Sequence, residues 1–548
     1  MKLNYKKTIL VGFAFFLISA FWQAYDTIVP MMLVNKFGLN QTVSGLIMAL
    51  DNVLALFMLP LFGALSDKTT TKFGKRTPYI VIGSVLAVVM FVSLTFADNM
   101  QLSKVYENNN PTEFTQILWE ENAEIDCLES KDKINVQDYM AQIYHNKNFD
   151  ELNETQQTNL KNTFVDLINH SKDTYSFSND IYTLEGEKGS ENIYTNVVVS
   201  ARSVYAWNKT VNNPLPLIIF FAILLLTLVS MATFRSPAVA LMPDVTIKPL
   251  RSKGNAIINL MGAAGGILVL VLGMVFKTGA VTNQMMSYTL FVAAVCAIMV
   301  IGLTIFITCV KETKWAKEMQ EETLKLGIEE KEEEQPAENA QKRKLSKAEL
   351  KSLLLILASV ALWYIGYNAV TSKYSLYAST VLQKDYNSTL IIAQAAAIVS
   401  YIPVGIVASK FGRKKTILAG VIMLAAAFFS AIFVTPNTHS VVMYVIFALA
   451  GIGWATINVN SFPMVVELSK DGDVGKYTGF YYTASMAAQV ITPVLSGLVM
   501  DMVGTMKVLF PYAAIFVALA FVTMFFVKHG DSKPLAKKSA LENFDIDD

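Results

Sequence analysis

Long apolar runs separated by polar stretches set the pattern of this chain. A membrane-crossing helix needs ~20 mostly apolar residues. Twelve runs reach that length, at 8–34, 42–64, 79–97, 215–237, 254–276, 287–310, 351–377, 387–409, 415–435, 441–463, 477–500 and 507–527. The first is no cleavable signal peptide: it is long, lacks a small-residue cleavage site and is followed at once by a second run. The pattern predicts an all-α membrane protein with twelve transmembrane helices.

The polar stretches orient these spans, because Lys and Arg gather on short cytoplasmic loops. Lys2, Lys6 and Lys7 precede span one. Lys68, Lys72, Lys75 and Arg76 follow span two, and Lys410, Arg413, Lys414 and Lys415 follow span eight. The alternate short loops hold little beyond Lys36, Lys277, Lys384 and Lys507. Both termini are therefore expected in the cytoplasm. The expected order is spans one to three in 1–97, an extracytoplasmic insertion at 98–214, spans four to six in 215–310, a cytoplasmic linker at 311–350, spans seven to twelve in 351–527 and a cytoplasmic tail at 528–548. The insertion carries 9 Lys and Arg against 19 Asp and Glu. Helical spacing of Phe164, Leu167 and Ile168 predicts a small helical domain there, in which Cys127 has no partner. A solvated insertion is favoured over a substrate-capturing cap. The linker contains EEKEEEQ and reads as partly helical or disordered.

Composition removes most other classes. The 548 residues are 53% hydrophobic and 16% charged, with a mean hydropathy of +0.41. A soluble protein carries about 25% charged residues. A net charge of +1 leaves no basic excess for nucleic acid, and three cysteines make neither a disulfide framework nor a usual metal site. No nucleophile–base set, metal-ligand cluster or phosphate-binding loop appears, so no enzyme and no cofactor are expected.

The two sets of six spans carry an internal repeat. Tyr25-Asp26 of FWQAYD aligns with Tyr367-Asn368 of LWYIGYN at an offset of 342 residues, and the same offset carries Gly63 of GALSDK onto Gly405 of GIVASK. FGKR at 73–76 and FGRK at 411–414 agree once four residues are skipped. With twelve spans, a central linker and this loop after spans two and eight, the chain resembles the major facilitator superfamily. Two six-helix pseudo-repeats are what that resemblance implies. SDKTTTKFGKRTPYIVIG, SPAVALMPD (236–244), RSKGNAIIN (251–259), GIGWATINVNSFPMVVE (451–467) and GKYTGFYY (475–482) resemble its sugar–cation symporter branches, the sucrose–proton and the glycoside–pentoside–hexuronide symporters. The resemblance covers the spans but neither the insertion nor the linker. It implies a close approach of spans two and eleven at Gly63. It also implies a cytoplasmic latch at the junction of the halves, drawn from Asp67, Lys75, Arg76, Arg235 and Asp244, with a weaker counterpart at Gly405 and Arg413.

The coupling residues of those branches are missing. The span-two carboxylates of melibiose-type symporters fall on Ala55 and Leu59, and the span-four acid and Arg of plant-type sucrose symporters fall on Leu228 and Val239. Depth offers a replacement. Asp26 and Asp51 each lie nine residues from the outer end of their antiparallel spans. That is ~13 Å at 1.5 Å per residue. Ionisable groups at such depth usually face a cavity or a pathway, and two acids at one depth can share a proton. Their repeat equivalents are Asn368 and Ala393, so the charge is confined to the first half.

Sugars need amide or carboxyl partners for their hydroxyls and aromatic faces for their C–H surfaces. Trp22, Gln23 and Tyr25 in span one, Asn52 in span two, Trp363, Tyr364, Tyr367 and Asn368 in span seven, Gln394 in span eight, Trp454, Asn458 and Asn460 in span ten, and Tyr481, Tyr482 and Gln489 in span eleven supply them. The expectation is a monomeric transporter of the cell membrane. It would carry a mono- or disaccharide or glycoside by alternating access, with a proton as coupling ion. The alternatives are a uniporter or exporter of another small polar solute, and then a receptor or enzyme working through 98–214.

Overall fold

The computed structural model describes residues 3–105, 116–120, 124–126, 133–169, 200–247, 250–280, 283–325, 346–466, 468 and 474–529. Among the described residues, twelve helices are long and apolar enough to cross a membrane. In the first half they are α1 (Tyr5–Met31, continued by a π-helical turn Met32–Lys36), α2 (Gln41–Lys68), α3 (Thr77–Val105), α7 (Leu215–Val245), α8 (Arg251–Val275) and α9 (Thr289–Cys309). In the second half they are α11 (Lys347–Thr380), α12 (Tyr386–Phe411), α13 (Arg413–Ala431), α14 (Ser440–Val466), α15 (Val474–Val503) and α16 (Leu509–Phe525). An even number of spans puts both described ends on one face, called here the terminal face. The other is the loop face.

Local chemistry fixes the helix ends. The Asn40 side chain accepts from Val43 N (2.8 Å) at the start of α2. Ser346 and Glu349 form a reciprocal capping box on α11, and Asp385 accepts from Asn387 N (2.9 Å) at the start of α12. Each satisfies a backbone N–H that the first turn leaves without a partner. Gly412 turns the chain from α12 into α13 at φ +91°, a left-handed conformation that glycine adopts freely. Gly38 (φ +68°) presses on the backbone at Trp207, where a Cβ has no room.

Packing repeats between the halves. In the first half α1 lies on α8 and α9, α7 on α2 and α3, and α3 on α9. In the second half α11 lies on α15 and α16, α14 on α12 and α13, and α13 on α16. Each pair in one set is the repeat of a pair in the other. The halves meet through α2 with α15, α8 with α12 and α1 with α11.

Those contacts sit near the loop face. Gly45 packs on the Pro493 backbone and Gly497 on the Gln41 backbone. Thr278 and Tyr386 share a hydroxyl hydrogen bond of 2.8 Å, and Gln284 Nε2 donates to Ser379 O (3.0 Å). Toward the terminal face α2 and α15 separate: among the described residues a Cβ on Gly479 would meet nothing within 4 Å, and one on Gly63 would meet only Ser236 of its own half. The approach of spans two and eleven expected at Gly63 is thus found at Gly45 and Gly497 instead. The cleft between the halves opens on the terminal face.

The insertion, expected from its patterning to be a small helical domain, also holds a pair of strands. It contains α4 (Val136–His145), α5 (Glu154–Asn169), α6 (Ser200–Asn212) and an antiparallel pair, β1 (Glu124–Asp126) with β2 (Lys133–Asn135). Trp119 packs on Phe149 and Phe164 as a small aromatic core. Cys127 and the side chains of Leu167 and Ile168 lie outside the described residues, as do 326–345 of the linker and 530–548 of the tail. The linker begins as a helix, α10 (Glu312–Lys325), whose Trp315, Met319 and Thr323 are buried.

Candidate functional site

Asp26 on α1, Asp51 on α2 and Arg235 on α7 lie within electrostatic reach of one another. All three are half-buried. Asp51 accepts from both the backbone N–H (2.6 Å) and the Nδ2 (2.8 Å) of Asn52. The Arg235 guanidinium lies 5.8 Å from the centre of the Trp22 ring, a cation–π contact. Arg235 was expected in the terminal-face latch, two residues from the end of an apolar run at 237. The helix in fact continues through Pro237 and Pro243 to Val245. Arg235 is therefore ten residues, or ~15 Å, inside the helix end. It belongs to the acids, not to the latch.

The second half contributes rings and amides. Tyr367 stacks flat on Trp454, with centroids 3.6 Å apart and planes 3° from parallel, while Tyr364 meets Trp454 edge-on at 5.2 Å. Gln394 Nε2 on α12 donates to Gln23 Oε1 on α1 at 2.6 Å, a bridge between the halves beside Gly266. The Asn368 Nδ2 and the Trp22 Nε1 are buried with no hydrogen-bond partner among the described residues.

The substrate candidates divide by burial. Trp22, Gln23, Asn52, Tyr364, Tyr367, Asn368, Gln394, Trp454, Tyr482 and Gln489 are half-buried, whereas Tyr25, Trp363, Asn458, Asn460 and Tyr481 are buried. The second group lies within the helix packing rather than on the cleft wall. Trp363 is one turn from Gly366, which rests on Ala513 and Val517 of α16. Asn460 donates to Thr456 O (2.9 Å) one turn from the contact of Thr456 with Gly420 of α13. Tyr481 shares a 2.9 Å hydrogen bond with Ser461, tying α15 to α14. The Tyr25 ring stacks on Phe21, and its hydroxyl has no hydrogen-bond partner among the described residues and lies near both acids.

On the terminal face, Arg76 forms ion pairs with Asp67 and with Asp244 (2.8 Å), and Lys75 reaches Asp244 at 3.3 Å. Arg76 also donates to Ser66 Oγ and to Gly63 O (3.4 Å). Every partner lies in the first half. The cluster was expected to bridge the halves and to break as they part. Here the halves are parted on this face and the pairs are intact, because α2, the turn after it and α7 all belong to one half. Gly405 on α12 is half-buried, and Arg413 opens α13 just after Gly412.

Sequence reasoning missed the residue that holds this turn. Glu312, the first residue of α10, accepts from Lys75 N (2.7 Å), Arg76 N (2.9 Å), Thr77 N (2.8 Å) and Thr77 Oγ1 (2.7 Å). It caps α3 from the linker, where it read only as one acid among many. Lys36 was also misread, as a loop charge. It is buried in an ion pair with Asp98, donates to Met286 O (2.8 Å) and sits 4.5 Å from the Tyr288 ring. Gln101 Nε2 donates to Lys36 O (3.0 Å), and Thr210 Oγ1 to Phe37 O (2.9 Å), which anchors α6 of the insertion to the first half.

Twelve membrane helices in two repeated sets around a polar cleft define a multi-pass membrane transporter. The MFS_1 like family model matches residues 9–393, and that of the Major Facilitator Superfamily matches 383–544. The chain belongs to the major facilitator superfamily, and it is a secondary transporter rather than an enzyme. No curated protein matches it. Among solved structures it is similar to the inward-open conformation of the xylose transporter XylE from E. coli, at 12% identity over 97% of each chain with a TM-score of 0.53. It is similar to a D-xylose–proton symporter, at 13% identity over 96% of this chain and 99% of that one, with a TM-score of 0.52. A bacterial homologue of the iron transporter ferroportin, in its inward-facing state, matches at 11% identity over 96% of this chain and 99% of that one, with a TM-score of 0.52. Identities this low establish the fold alone.

Proposed function

We propose that the protein carries a sugar or glycoside across the cell membrane by alternating access, in symport with a proton. The observation that carries this reading is the unequal lining of the cleft: Asp26, Asp51 and Arg235 in one half, uncharged rings and amides in the other. A sugar's C–H face suits the Tyr367–Trp454 platform. Its hydroxyls suit Asn368, Gln23 and Gln394, and the last two would exchange their mutual bond for substrate. Neither fold nor family selects the solute, since one fold hosts many functions.

Charge counting supports the proton. With both acids ionised, the three groups sum to −1, and one bound proton brings them to zero. A neutral cleft costs least to carry through a closed, water-poor state. A neutral sugar then travels with one proton, while sugar on the deprotonated carrier is held back; the empty carrier, its acids set against Arg235, returns to complete the cycle. Arg235 keeps either acid from being an isolated charge. The terminal face, rich in Lys and Arg, is read as cytoplasmic, which makes this conformation inward-open and places the insertion outside. The carrier is read as a monomer.

The test is uptake by purified protein in vesicles, with a sugar panel and imposed proton or sodium gradients. Accumulation of a sugar driven by the proton gradient alone supports the reading. Transport of that sugar unaffected by any gradient removes the coupling, and failure of every sugar removes the substrate class.

A further inference from the structure

On the loop face the first turn of α2 is held by two residues of the other half. Asp501, at the end of α15, accepts from Gln41 N (3.0 Å), Thr42 N (2.8 Å) and Thr42 Oγ1. Its carboxylate caps α2 from across the molecule, where the helix dipole favours negative charge. Lys373, seven residues before the end of α11, is only 1% exposed and donates to Gln41 O (2.8 Å) and Gln41 Oε1 (3.3 Å). No charged partner lies within ion-pair distance of it among the described residues. Yet Lys373 and Asp501 sit on packed helices of one half, within electrostatic reach of each other.

We infer that Lys373 and Asp501 form a partner-switching lock for alternating access. With the loop face closed, both bind the α2 N-terminus. When it opens, α2 withdraws and both lose their partners together. An ammonium inside a span with no partner is costly. The two charges then turn to each other and form an ion pair that the closed state withholds. Each state thus satisfies the same two side chains, and neither pays for an orphaned charge.

The inference concerns conformation, so its test is independent of which solute or ion is carried. Full-length protein in nanodiscs, with its native cysteines replaced, carries spin labels at the exposed positions Lys277 and Asn437, one on each half at the loop face. Thr42→Val removes a partner present only in the closed state and should enrich the long-distance, open population. Lys373→Gln keeps an amide for Gln41 but forbids the ion pair, and should deplete the open population roughly fivefold, as for a pair worth ~1 kcal/mol. The exchange Lys373→Asp with Asp501→Lys keeps the pair but sets a cation at the α2 N-terminus, and should favour the open form. Shifts of opposite sign for Thr42→Val and Lys373→Gln support the lock. Shifts of the same sign, or an unchanged distance distribution in the mild Thr42→Val variant, overturn it.

Discussion

At the residue scale the three charged groups of the cleft set the sharpest expectations. If Asp26 or Asp51 carries the driving proton, neutralising it removes the step that senses the gradient while leaving sugar binding and rocking intact. Asp26→Asn or Asp51→Asn should therefore lose gradient-driven accumulation yet keep sugar exchange across vesicles without a gradient. Each 60 mV or so of driving force is worth ~1.4 kcal/mol per proton, about tenfold in accumulation, so the loss is easily measured. Normal accumulation in both single variants would make the acids structural hydrogen-bonders. Glu312 makes a separate case. It is buried and holds three backbone N–H groups of the α3 turn. Glu312→Ala should cost about 2 kcal/mol or more in stability, seen as a lower melting temperature in detergent, and Glu312→Gln should recover part of it. Asp67 is 59% exposed in its pair with Arg76, so Asp67→Asn should cost less than Asp244→Asn, because solvent screens an exposed partner.

At the element scale the approach of α2 and α15 decides which face is closed. A Cβ on Gly45 would run into the Pro493 backbone, which has no side-chain freedom with which to yield. The clash exists only while the loop face is closed. Gly45→Ala should shift the carrier toward loop-face-open and slow its cycle, which labelling of a cleft cysteine from the loop side would detect. An unchanged labelling rate would place the contact elsewhere. The spans themselves were legible in the sequence, because ~20 apolar residues have few other uses. So was the repeat, through Asp26/Asn368 and Gly63/Gly405. Helix ends were less so, and that error moved Arg235. A run of hydropathy ends where charge begins, but α7 carries its charge inside, toward the cleft. Azimuth was not legible at all: Trp363 and Tyr364 are neighbours in sequence, yet one is fully buried and the other is half-buried and meets Trp454. Lys373 went unremarked in the sequence, although it stands inside an apolar run. Nothing in its own span announced that its partner, Gln41, would come from the other half.

At the scale of the whole molecule the question is which way the cleft faces. The terminal face carries the Arg76 cluster, the capped turn of α3 and the linker helix α10, pinned by the Lys7–Glu318 ion pair. Lys7 and Lys314 hold the exposed Glu318 carboxyl below its usual range, with the hydrogen bond from Lys7 the largest cause. The loop face carries the insertion, anchored on α3 and the turn after α1. All the anchors just described join it to the first half, so it should travel with that half as the carrier rocks. Cationic loops stay on the cytoplasmic side because moving Lys and Arg across a membrane is costly. The distribution of charge is the reason the terminal face is read as cytoplasmic in the proposed function. A cysteine at Asn153 should then react with an impermeant maleimide in intact cells, and one at Leu324, 80% exposed on α10, should react only after permeabilisation. The reverse pattern would turn the carrier over, make this conformation outward-open and recast the proposed symport as export. The fold would survive that result unchanged, since the packing of the two halves makes no reference to either side of the membrane.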